Sequence, residues 1–422
     1  MNNVLDLIGV GVGPFNLSLA ALLEKTNLNY HFFDSKPDFA WHSEILFKDS
    51  DMQTSFLKDL ATSVDPTNPY TFLNYLVETG LFHMFMNTNR TNVSRREFEQ
   101  YCAWATKKMQ QKLSFSSQVD SIEYDNENFV VYANNQQLKT KHLSIATGLT
   151  PRIPDCAQSY ISPKFFHARS PYLKDLDLTD KVVTVVGGGQ TGIEIFRNAL
   201  RGMWKDAKKV NFVTGRMGLL PLDESPFTNE FFTPSFIDDF FDIDFHTKED
   251  LVKAQKLSSD GNTPQYLDSL YKELYQLKFV EGSKKEFSIL PLRRLWKVEQ
   301  ENQEYKLIFD NHFTNKFEEL RSDIVILCTG FETLVPKALE PIKHKINLDF
   351  DNRFYVNRDF TVKWEHGETN RIYALNFSRH IHGISEPQTS LMAWRSASVV
   401  NSLMDKEFYK TSHYVKNFMS FI

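Results

Sequence analysis

Short apolar strands that end at glycine-rich turns are the main pattern of hydrophobic and polar positions in this chain. The first strand runs from Val4 to Ile8, meets Gly9, Gly11 and Gly13, and precedes a helix expected to begin near Asn16. Glycine lets the backbone turn with positive φ and lets a diphosphate approach the amides at a helix N-terminus. The pattern predicts a phosphate-binding turn, although a plain strand-to-helix loop is the alternative.

The glycine spacing of this first turn is incomplete for a dinucleotide site. Counted from Gly9, the pattern G-x-G-x-x-G requires glycine at position 14, where the chain has Pro14. A second apolar strand ends at Asp34, about 25 residues after Gly9, and an acid near that distance accepts hydrogen bonds from a ribose hydroxyl. The strand and its acid therefore favour a bound dinucleotide, with Asp34 on the ribose.

A second strand, turn and helix follow each other between Lys181 and Leu200, and here the glycine pattern is complete. The residues from Val182 to Val186 suit a buried strand, and Gly187, Gly189 and Gly192 satisfy G-x-G-x-x-G. Since strand, turn and helix come in the required order, this is the stronger of the two motifs.

The next apolar strand ends close to Arg216. A guanidinium at this place can hold the 2′-phosphate of NADPH with two hydrogen bonds, and NADH lacks that phosphate. Arg216 therefore predicts NADPH in the second site, with a solvated surface arginine as the alternative.

The sequence predicts an α/β fold with two Rossmann-like dinucleotide-binding domains and a smaller, mostly helical substrate lobe. We expect residues 1–170 and 323–422 to form a discontinuous FAD domain, and residues 171–218 and 276–322 to form the NADPH domain. The aromatic-rich stretch 219–275 departs from the alternation of strands and helices and is expected to be the helical lobe.

Composition narrows the function classes. The formal net charge is −5 with no block of basic residues, which argues against nucleic-acid binding. Cys102, Cys156 and Cys328 form no C-x-x-C, so neither a dithiol redox centre nor a zinc site is indicated. No apolar run reaches the roughly 18 residues of a membrane span. The N-terminus has no basic leader, and we expect a cytoplasmic protein.

Two dinucleotide motifs in one chain are typical of a flavoprotein that takes hydride from a nicotinamide. The first site would hold FAD and the second NADPH. Without a dithiol, the reduced flavin must pass its electrons to oxygen, a quinone or a separate carrier protein.

Several longer segments resemble the N-hydroxylating flavin monooxygenases, which hydroxylate the side-chain amine of lysine or ornithine in siderophore synthesis. The resemblance is carried by IGVGVGPFNLSLAAL, MQTSFLKDLATSVDPTNPYTFLNYL, VVGGGQTGIE, DESPFTNEFFTP and HGISEPQTSLMAWRSA. It covers essentially the whole chain and is strongest to the bacterial lysine N6-monooxygenases. This family also has proline at the place of Pro14.

The resemblance implies a set of cofactor-binding residues. Those expected around FAD are Gly9, Gly11, Gly13 and Pro14 at the diphosphate and Trp41, His42 and Gln53 near the flavin. Those expected around NADPH are Gly187, Gly189, Gln190 and Gly192 at the diphosphate and Arg216 near the 2′-phosphate.

The resemblance also implies substrate contacts. Lys58 matches the lysine that meets the substrate carboxylate in ornithine enzymes, and Asn229 matches an asparagine that contacts both substrate and NADP+. Ser258 stands where ornithine enzymes have an asparagine, which favours lysine over ornithine and leaves a diamine or histamine open. His382 and Ser385 are candidates for shaping the site, and no residue is assigned as an acid or base.

The implied reaction is hydroxylation of a primary amine by O2 through a flavin C4a-hydroperoxide, and tetramers or dimers are expected because homo-oligomers are common in the family. Three rival functions remain. One is an NADPH oxidase or reductase without an amine substrate, and another is a non-catalytic nucleotide sensor. The third, a carbon- or sulfur-oxygenating enzyme, would have F-x-G-x-x-x-H between the two motifs, and the chain has FFHARSPYL there instead.

Overall fold

The computed structural model describes residues 4–421 and contains two main sheets, each of which carries one glycine-rich turn. In chain order the strands are β1 (Leu5–Val10), β2 (Tyr30–Phe33), β3 (Asp51–Ser55), β4 (Asn92–Ser94), β5 (Leu113–Ser114), β6 (Val119–Tyr124), β7 (Phe129–Ala133), β8 (Gln136–Ile145), β9 (Thr150–Pro151), β10 (Phe165–His167), β11 (Val182–Val186), β12 (Lys209–Val213), β13 (Glu286–Leu290), β14 (Arg293–Glu301), β15 (Glu304–Asn311), β16 (Lys316–Ser322), β17 (Ile324–Leu327), β18 (Phe331–Glu332) and β19 (Ile372–Ala374).

The α-helices lie on these sheets and in a separate lobe. They are α1 (Pro14–Leu23), α2 (Phe72–Glu78), α3 (Phe82–Met86), α4 (Arg95–Lys108), α5 (Gln190–Leu200), α6 (Pro234–Asp242), α7 (Phe245–Ala254), α8 (Lys256–Asp260), α9 (Pro264–Tyr275), α10 (Arg379–His382) and α11 (Met392–Met404). Helices α6 to α9 fill most of the stretch 219–275, as the sequence predicts.

The first sheet has the strand order β5-β2-β1-β8-β7-β6, with β19 beside β8. Strand β1 is parallel to β2 and β8, and β6, β7 and β8 form an antiparallel meander that contains the predicted hairpin. Helices α1 and α11 pack together on this sheet, and their buried residues join its core. This arrangement places the start of α1 at the carboxyl edge of β1.

The second sheet is parallel throughout and has the order β10-β17-β11-β12-β13. Strands β10 and β17 therefore belong with the second glycine turn, whereas the sequence-based bounds put residues 165–167 and 324–327 in the first domain. The sequence was misleading because both strands are short, and only their pairing with β11 and with each other reveals their sheet. The remaining domain bounds stay a prediction.

Two element boundaries also differ from the prediction. Helix α1 begins at Pro14 and not near Asn16, because the fixed φ of proline suits the first position of a helix. The sequence pattern from Phe279 to Gln300 predicts strands, and they begin only at Glu286, after a π-helical turn at Gln276–Val280. Tyr275 and Phe279 have the four-residue spacing of a helix face, so the chain continues α9 there.

Helix α4 begins where the spacing of Ser94 and Glu97 in the sequence predicts a capping box. The Ser94 side chain accepts a hydrogen bond from the Glu97 backbone amide, while the Glu97 carboxylate accepts one from the Ser94 amide. This capping box satisfies amides that a helix start leaves unpaired. It also fixes Arg95 as the first helical residue, beside the short pair of strands β3 and β4.

Within residues 4–421, no helix is both long enough and apolar enough to cross a membrane.

Candidate active site

The first glycine turn follows β1 directly. Gly11 donates its amide to the Phe33 carbonyl at 2.8 Å and has a φ of +90°, and an added Cβ would lie 2.5 Å from the Ala146 carbonyl oxygen. Only glycine fits such a turn without strain. Gly13 precedes α1 in an extended conformation, and an added Cβ there would meet no atom within 4 Å. The space over Gly13 is therefore open at a helix N-terminus.

Gly9 lies outside this turn, which corrects the sequence-based assignment. It is paired within β1 to Phe32 on one side and Ser144 on the other, and an added Cβ would collide with the Phe32 ring at 1.8 Å. Gly9 thus serves the packing of the sheet and not the diphosphate. The sequence could not show this, because the strand continues through Gly9 to Val10.

The second glycine turn follows β11 with the same geometry. Gly187 donates to the Val213 carbonyl at 2.8 Å with a φ of +135°, and an added Cβ would lie 2.0 Å from the Cys328 carbonyl oxygen. Gly189 precedes α5 in an extended conformation and, like Gly13, leaves open space above it. The two turns are therefore structural repeats of each other.

The repeat shows the correct register of the first motif. Gly11 and Gly13 correspond to Gly187 and Gly189, so the third glycine, Gly192, corresponds to Asn16. An added Cβ on Gly192 would lie 2.1 Å from the Gly187 carbonyl oxygen. Asn16 instead donates from its amide to the Gly11 carbonyl at 2.8 Å. Pro14 consequently does not interrupt the motif: it stands at the position of Gln190.

Asp34 is buried and holds the first turn in place. Its Oδ2 accepts the Val12 amide at 2.7 Å, and its Oδ1 accepts the Lys36 amide at 2.9 Å. These bonds give Asp34 a structural role at the end of β2. A carboxylate has about four lone-pair positions, so contact with a ribose hydroxyl stays a prediction.

Arg216 lies over the second turn. Its Cδ would be 3.2 Å from a Cβ on Gly188, and its Nη1 donates to the Asp260 carbonyl at 2.9 Å. Burial lowers the pKa of this guanidinium from its ordinary value, and the side chain is half-buried. Arg216 is thus a cation beside an open helix N-terminus, which suits a second phosphate.

A cleft of about 720 Å³, including the part open to solvent, lies between the two turns. Its walls come from the loop after β2, from β3 and β18, from the first turns of α4 and α5 and from segment 387–389. The lining residues include Trp41, His42, Met52, Gln53, Thr54, Arg95, Thr191, Phe331, Pro387, Gln388 and Thr389. The three residues expected near the flavin, Trp41, His42 and Gln53, are therefore brought together. Pockets of several hundred Å³ with mixed apolar and polar walls are typical of cofactor sites.

His42 is a neutral imidazole in this wall. Burial, with smaller contributions from Arg169, Arg95 and Lys36, lowers the pKa of His42 to about 3. Its Nδ1 is buried without a hydrogen-bond partner among the described residues, and its φ of 57° is left-handed. A strained residue with an unpaired polar atom is a common feature of ligand sites.

Lys58 lies beside this cleft in a smaller cavity. Met52 and Thr54 line both spaces, and the smaller one is completed mainly by apolar side chains, including Phe56 and Phe72. Asp59 also lines it, and its carboxylate accepts backbone amides, that of Phe72 among them. Burial lowers the pKa of Lys58. In the part of the chain that the structure describes, its ammonium has no acidic partner, so it is free to bind an anion.

The other two candidate substrate residues lie on adjoining segments of the lobe. Asn229 is exposed in a 3₁₀ turn at Thr228–Phe232, and Ser258 is half-buried in α8. The Asp223 amide donates to the Leu257 carbonyl at 3.1 Å, which joins the two segments. Neither residue is among those that line the cleft or the Lys58 cavity, so the structure does not bring them together with Lys58.

His382 and Ser385 are both buried away from the cleft lining. The His382 Nδ1 lies 2.9 Å from Ser378 Oγ, its ring stacks on Phe360, and burial lowers its pKa to about 3. Ser385 Oγ is buried with no partner within residues 4–421. The same segment reaches the cleft through Pro387 to Thr389 instead.

Sequence reasoning missed several residues of this region. Asn16 could have been found by aligning the two turns, and Glu194 by noting an acid on the apolar side of α5, four residues after Gln190. Nothing in the sequence pattern indicated Arg95, because its place in the cleft wall depends on the pairing of β3 with β4.

The residues present fit two dinucleotides. Each turn offers an unhindered glycine before a helix N-terminus, where the helix dipole and free amides favour a diphosphate. The cleft between the turns would receive a flavin from one side and a nicotinamide from the other, and Arg216 would meet the phosphate that distinguishes NADPH.

A sequence model described as L-lysine 6-monooxygenase/L-ornithine 5-monooxygenase matches residues 3–333. The chain belongs to this family. It is therefore a flavin-dependent amine N-monooxygenase, with FAD and NADPH as its cofactors.

Three members illustrate the similarity. L-lysine N6-monooxygenase from Escherichia coli is 39% identical over 415 residues, covering 98% of this chain and 97% of that protein. The FAD-bound cadaverine monooxygenase of the desferrioxamine pathway from Erwinia amylovora has a TM-score of 0.93 at 26% identity, covering 100% of this chain and 99% of that one. The ornithine N-hydroxylase from Kutzneria sp. 744, with NADP+ and L-ornithine, has a TM-score of 0.89 at 26% identity, covering 96% and 99%.

Proposed function

We propose that this enzyme hydroxylates the side-chain nitrogen of L-lysine, as a step toward a hydroxamate siderophore. The observation that carries the proposal is Lys58, a half-buried ammonium beside the cleft with no acidic partner among the described residues. An amino acid has a carboxylate for this cation, and a diamine has none. The 39% identity to the lysine enzyme of Escherichia coli supports the same substrate.

The residues of the chain would bind and orient the amine in a largely dry site. FAD, once bound and reduced by NADPH, supplies the chemistry that activates O2. The amine reacts only when unprotonated, although a free lysine amine has a pKa of about 10.4. The apolar walls formed by Phe56 and Phe72 disfavour an ammonium nearby. No acid or base is needed from the protein for this effect.

Asn229 and Ser258 are proposed to contact the amino-acid end of the substrate from the lobe. Their segments adjoin each other, and the turn after Ser258 reaches the NADPH side through Asp260 and Arg216. His382 and Ser385 would act only by supporting the wall at Pro387 to Thr389.

A diamine is the second candidate substrate. The fold similarity to the cadaverine monooxygenase of Erwinia amylovora favours it, and ornithine and histamine would require the same chemistry. An NADPH oxidase without an amine substrate is the rival of another type. We also propose a cytoplasmic homo-oligomer, a dimer or tetramer, which analytical ultracentrifugation would test.

The deciding experiment measures hydroxylamine formed per NADPH consumed by the FAD-loaded protein, with lysine, ornithine, cadaverine, putrescine and histamine in parallel. Product with lysine alone supports the proposal. Product only with an amine that lacks a carboxylate would remove lysine and leave the reaction class. NADPH consumption without product from any amine would favour the oxidase.

A further inference from the structure

A chain of side-chain contacts runs from one wall of the cleft through the second glycine turn and back to the cleft. Its centre is Glu194 on α5, which has no exposed surface. The Glu194 Oε2 accepts a hydrogen bond from Arg95 Nη1 at 3.0 Å, and its Oε1 accepts one from Gln190 Nε2 at 2.9 Å. The Glu194 carboxylate thus binds both Arg95, on the side of the first sheet, and Gln190, the first residue of α5.

The contacts continue from Gln190 toward the lobe. Gln190 Oε1 accepts the Thr263 backbone amide at 2.9 Å, and Thr263 Oγ1 accepts a hydrogen bond from Gln53 Nε2 at 3.3 Å. Gln53 and Arg95 both line the cleft. Gln53 lies in β3 and Arg95 directly follows β4, and these two strands pair with each other. The contacts therefore begin and end at the same pair of strands.

The donors and acceptors of this circuit have fixed directions. Because a backbone amide can only donate, Thr263 requires the oxygen of Gln190, and the Gln190 NH2 must then point at Glu194. Arg95 also can only donate. A glutamine at position 194 would have to turn its own NH2 toward Arg95 or toward the Gln190 NH2, and both of these groups can only donate. The charge on buried Arg95, whose side chain is only 14% exposed, would also lose its partner.

We propose that Glu194 is a positioning residue for the transfer of hydride, because its carboxylate sets the flavin wall and the start of the NADPH helix relative to each other. It touches neither cofactor directly and acts through Arg95 and Gln190. Errors of about 1 Å in the placement of reacting groups can cost about a hundredfold in rate. Breaking these contacts should therefore slow flavin reduction in a protein that still folds.

The test is Glu194→Gln, with Glu273→Gln as the matched control. Glu273 lies on α9 and pairs with Arg197 of α5 and with Arg201, which directly follows α5. These residues do not line the cleft. The readouts are NADP+ binding to the FAD-loaded protein by calorimetry, hydrogen exchange of the peptide that contains Thr263, and anaerobic flavin reduction by NADPH. None of them involves an amine, so their outcome is independent of the proposed substrate.

Glu194→Gln is expected to weaken NADP+ at least about tenfold, to speed exchange at Thr263 and to slow flavin reduction by about ten- to a hundredfold, with FAD content kept. Glu273→Gln should leave NADP+ affinity and flavin reduction unchanged. Wild-type NADP+ affinity and exchange in Glu194→Gln would overturn the proposal, and so would equal losses of NADP+ affinity in both variants.

Should Glu194→Gln not fold, the double variant Arg95→Gln/Glu194→Gln serves in its place. It leaves no lone buried charge, and an amide at position 194 can accept from Gln190 while donating to the amide at position 95. Because Arg95 lines the cleft, the readout for this variant is Thr263 exchange alone, which the proposal expects near that of the wild type. Exchange faster by about tenfold or more would show that the bond to Gln190 does not hold the helix start, and would overturn the proposal.

Discussion

Replacing Lys58 by methionine tests the proposed recognition of a substrate carboxylate. Methionine is unbranched like the lysine stem and lacks the ammonium. The change leaves no described carboxylate without a partner, because Lys58 has no acidic partner in the structure. Hydrogen bonds to charged groups contribute about 1.5–3 kcal/mol. At about 1.4 kcal/mol per factor of ten, kcat/KM for lysine should fall by about ten- to a hundredfold.

The assay compares L-lysine with cadaverine, which has the same amine on a chain without the carboxylate. Hydroxylamine formation from cadaverine should change by less than about threefold, since it loses no such bond. Lys174→Met, at an exposed lysine, controls for the general effect of removing a positive charge. Equal losses with both amines would refute the reasoning, because the ammonium would then serve something other than the carboxylate. Unchanged lysine kinetics would place the carboxylate elsewhere.

Four other predictions rest on the described structure. Arg216→Ala should weaken NADPH far more than NADH in steady-state kinetics, and equal losses would remove Arg216 from the 2′-phosphate. Gly189→Val should leave the Tm unchanged and weaken NADP+ binding, because the added side chain enters open space at the helix start. Gly187→Ala should lower the Tm, because its φ is +135° and its Cβ would meet a carbonyl oxygen. Burial lowers the pKa of His380 to about 4. In the unfolded chain this imidazole is protonated already below about pH 6.5. The free energy of unfolding therefore falls as the pH drops from 6.5 to 4, by up to about 1.4 kcal/mol per pH unit. Urea unfolding between pH 7 and 5 should show a shallower pH dependence for His380→Gln, and an unchanged slope would contradict a neutral His380.

The sequence predicted those features that depend on neighbours along the chain. The capping box at Ser94, the strand at Val182–Val186 and the helical lobe all follow from local spacing, and the structure has them. The cofactors followed from the two turns. Local patterns failed where a residue's role depends on pairing across the sheet, as with Gly9, which packs on Phe32, and with β17, which lies between β10 and β11.

The site shows the same division. Trp41, His42 and Gln53 meet in the cleft as expected, because the loop after β2 carries two of them and β3 carries the third. Arg95 and Glu194 could not be predicted as a pair, since they are 99 residues apart and lie on different sheets' helices. The stacked and buried environment of His382 likewise comes from Phe360 and Phe241, which are distant in the chain.

The near identity of the two turns has a consequence for how the enzyme avoids loading the wrong nucleotide. The two backbones follow the same course at the helix starts, and they differ by one amide, since Pro14 has no N–H where Gln190 has one. At equivalent positions after β2 and β12, the chain places Asp34 in one turn and Thr214 in the other, with Lys36 and Arg216 two residues later. A carboxylate at the first turn repels an extra phosphate, whereas a hydroxyl and a guanidinium at the second tolerate it. The two turns thus differ in local charge, and this difference would favour the nucleotide with the extra phosphate at the second turn.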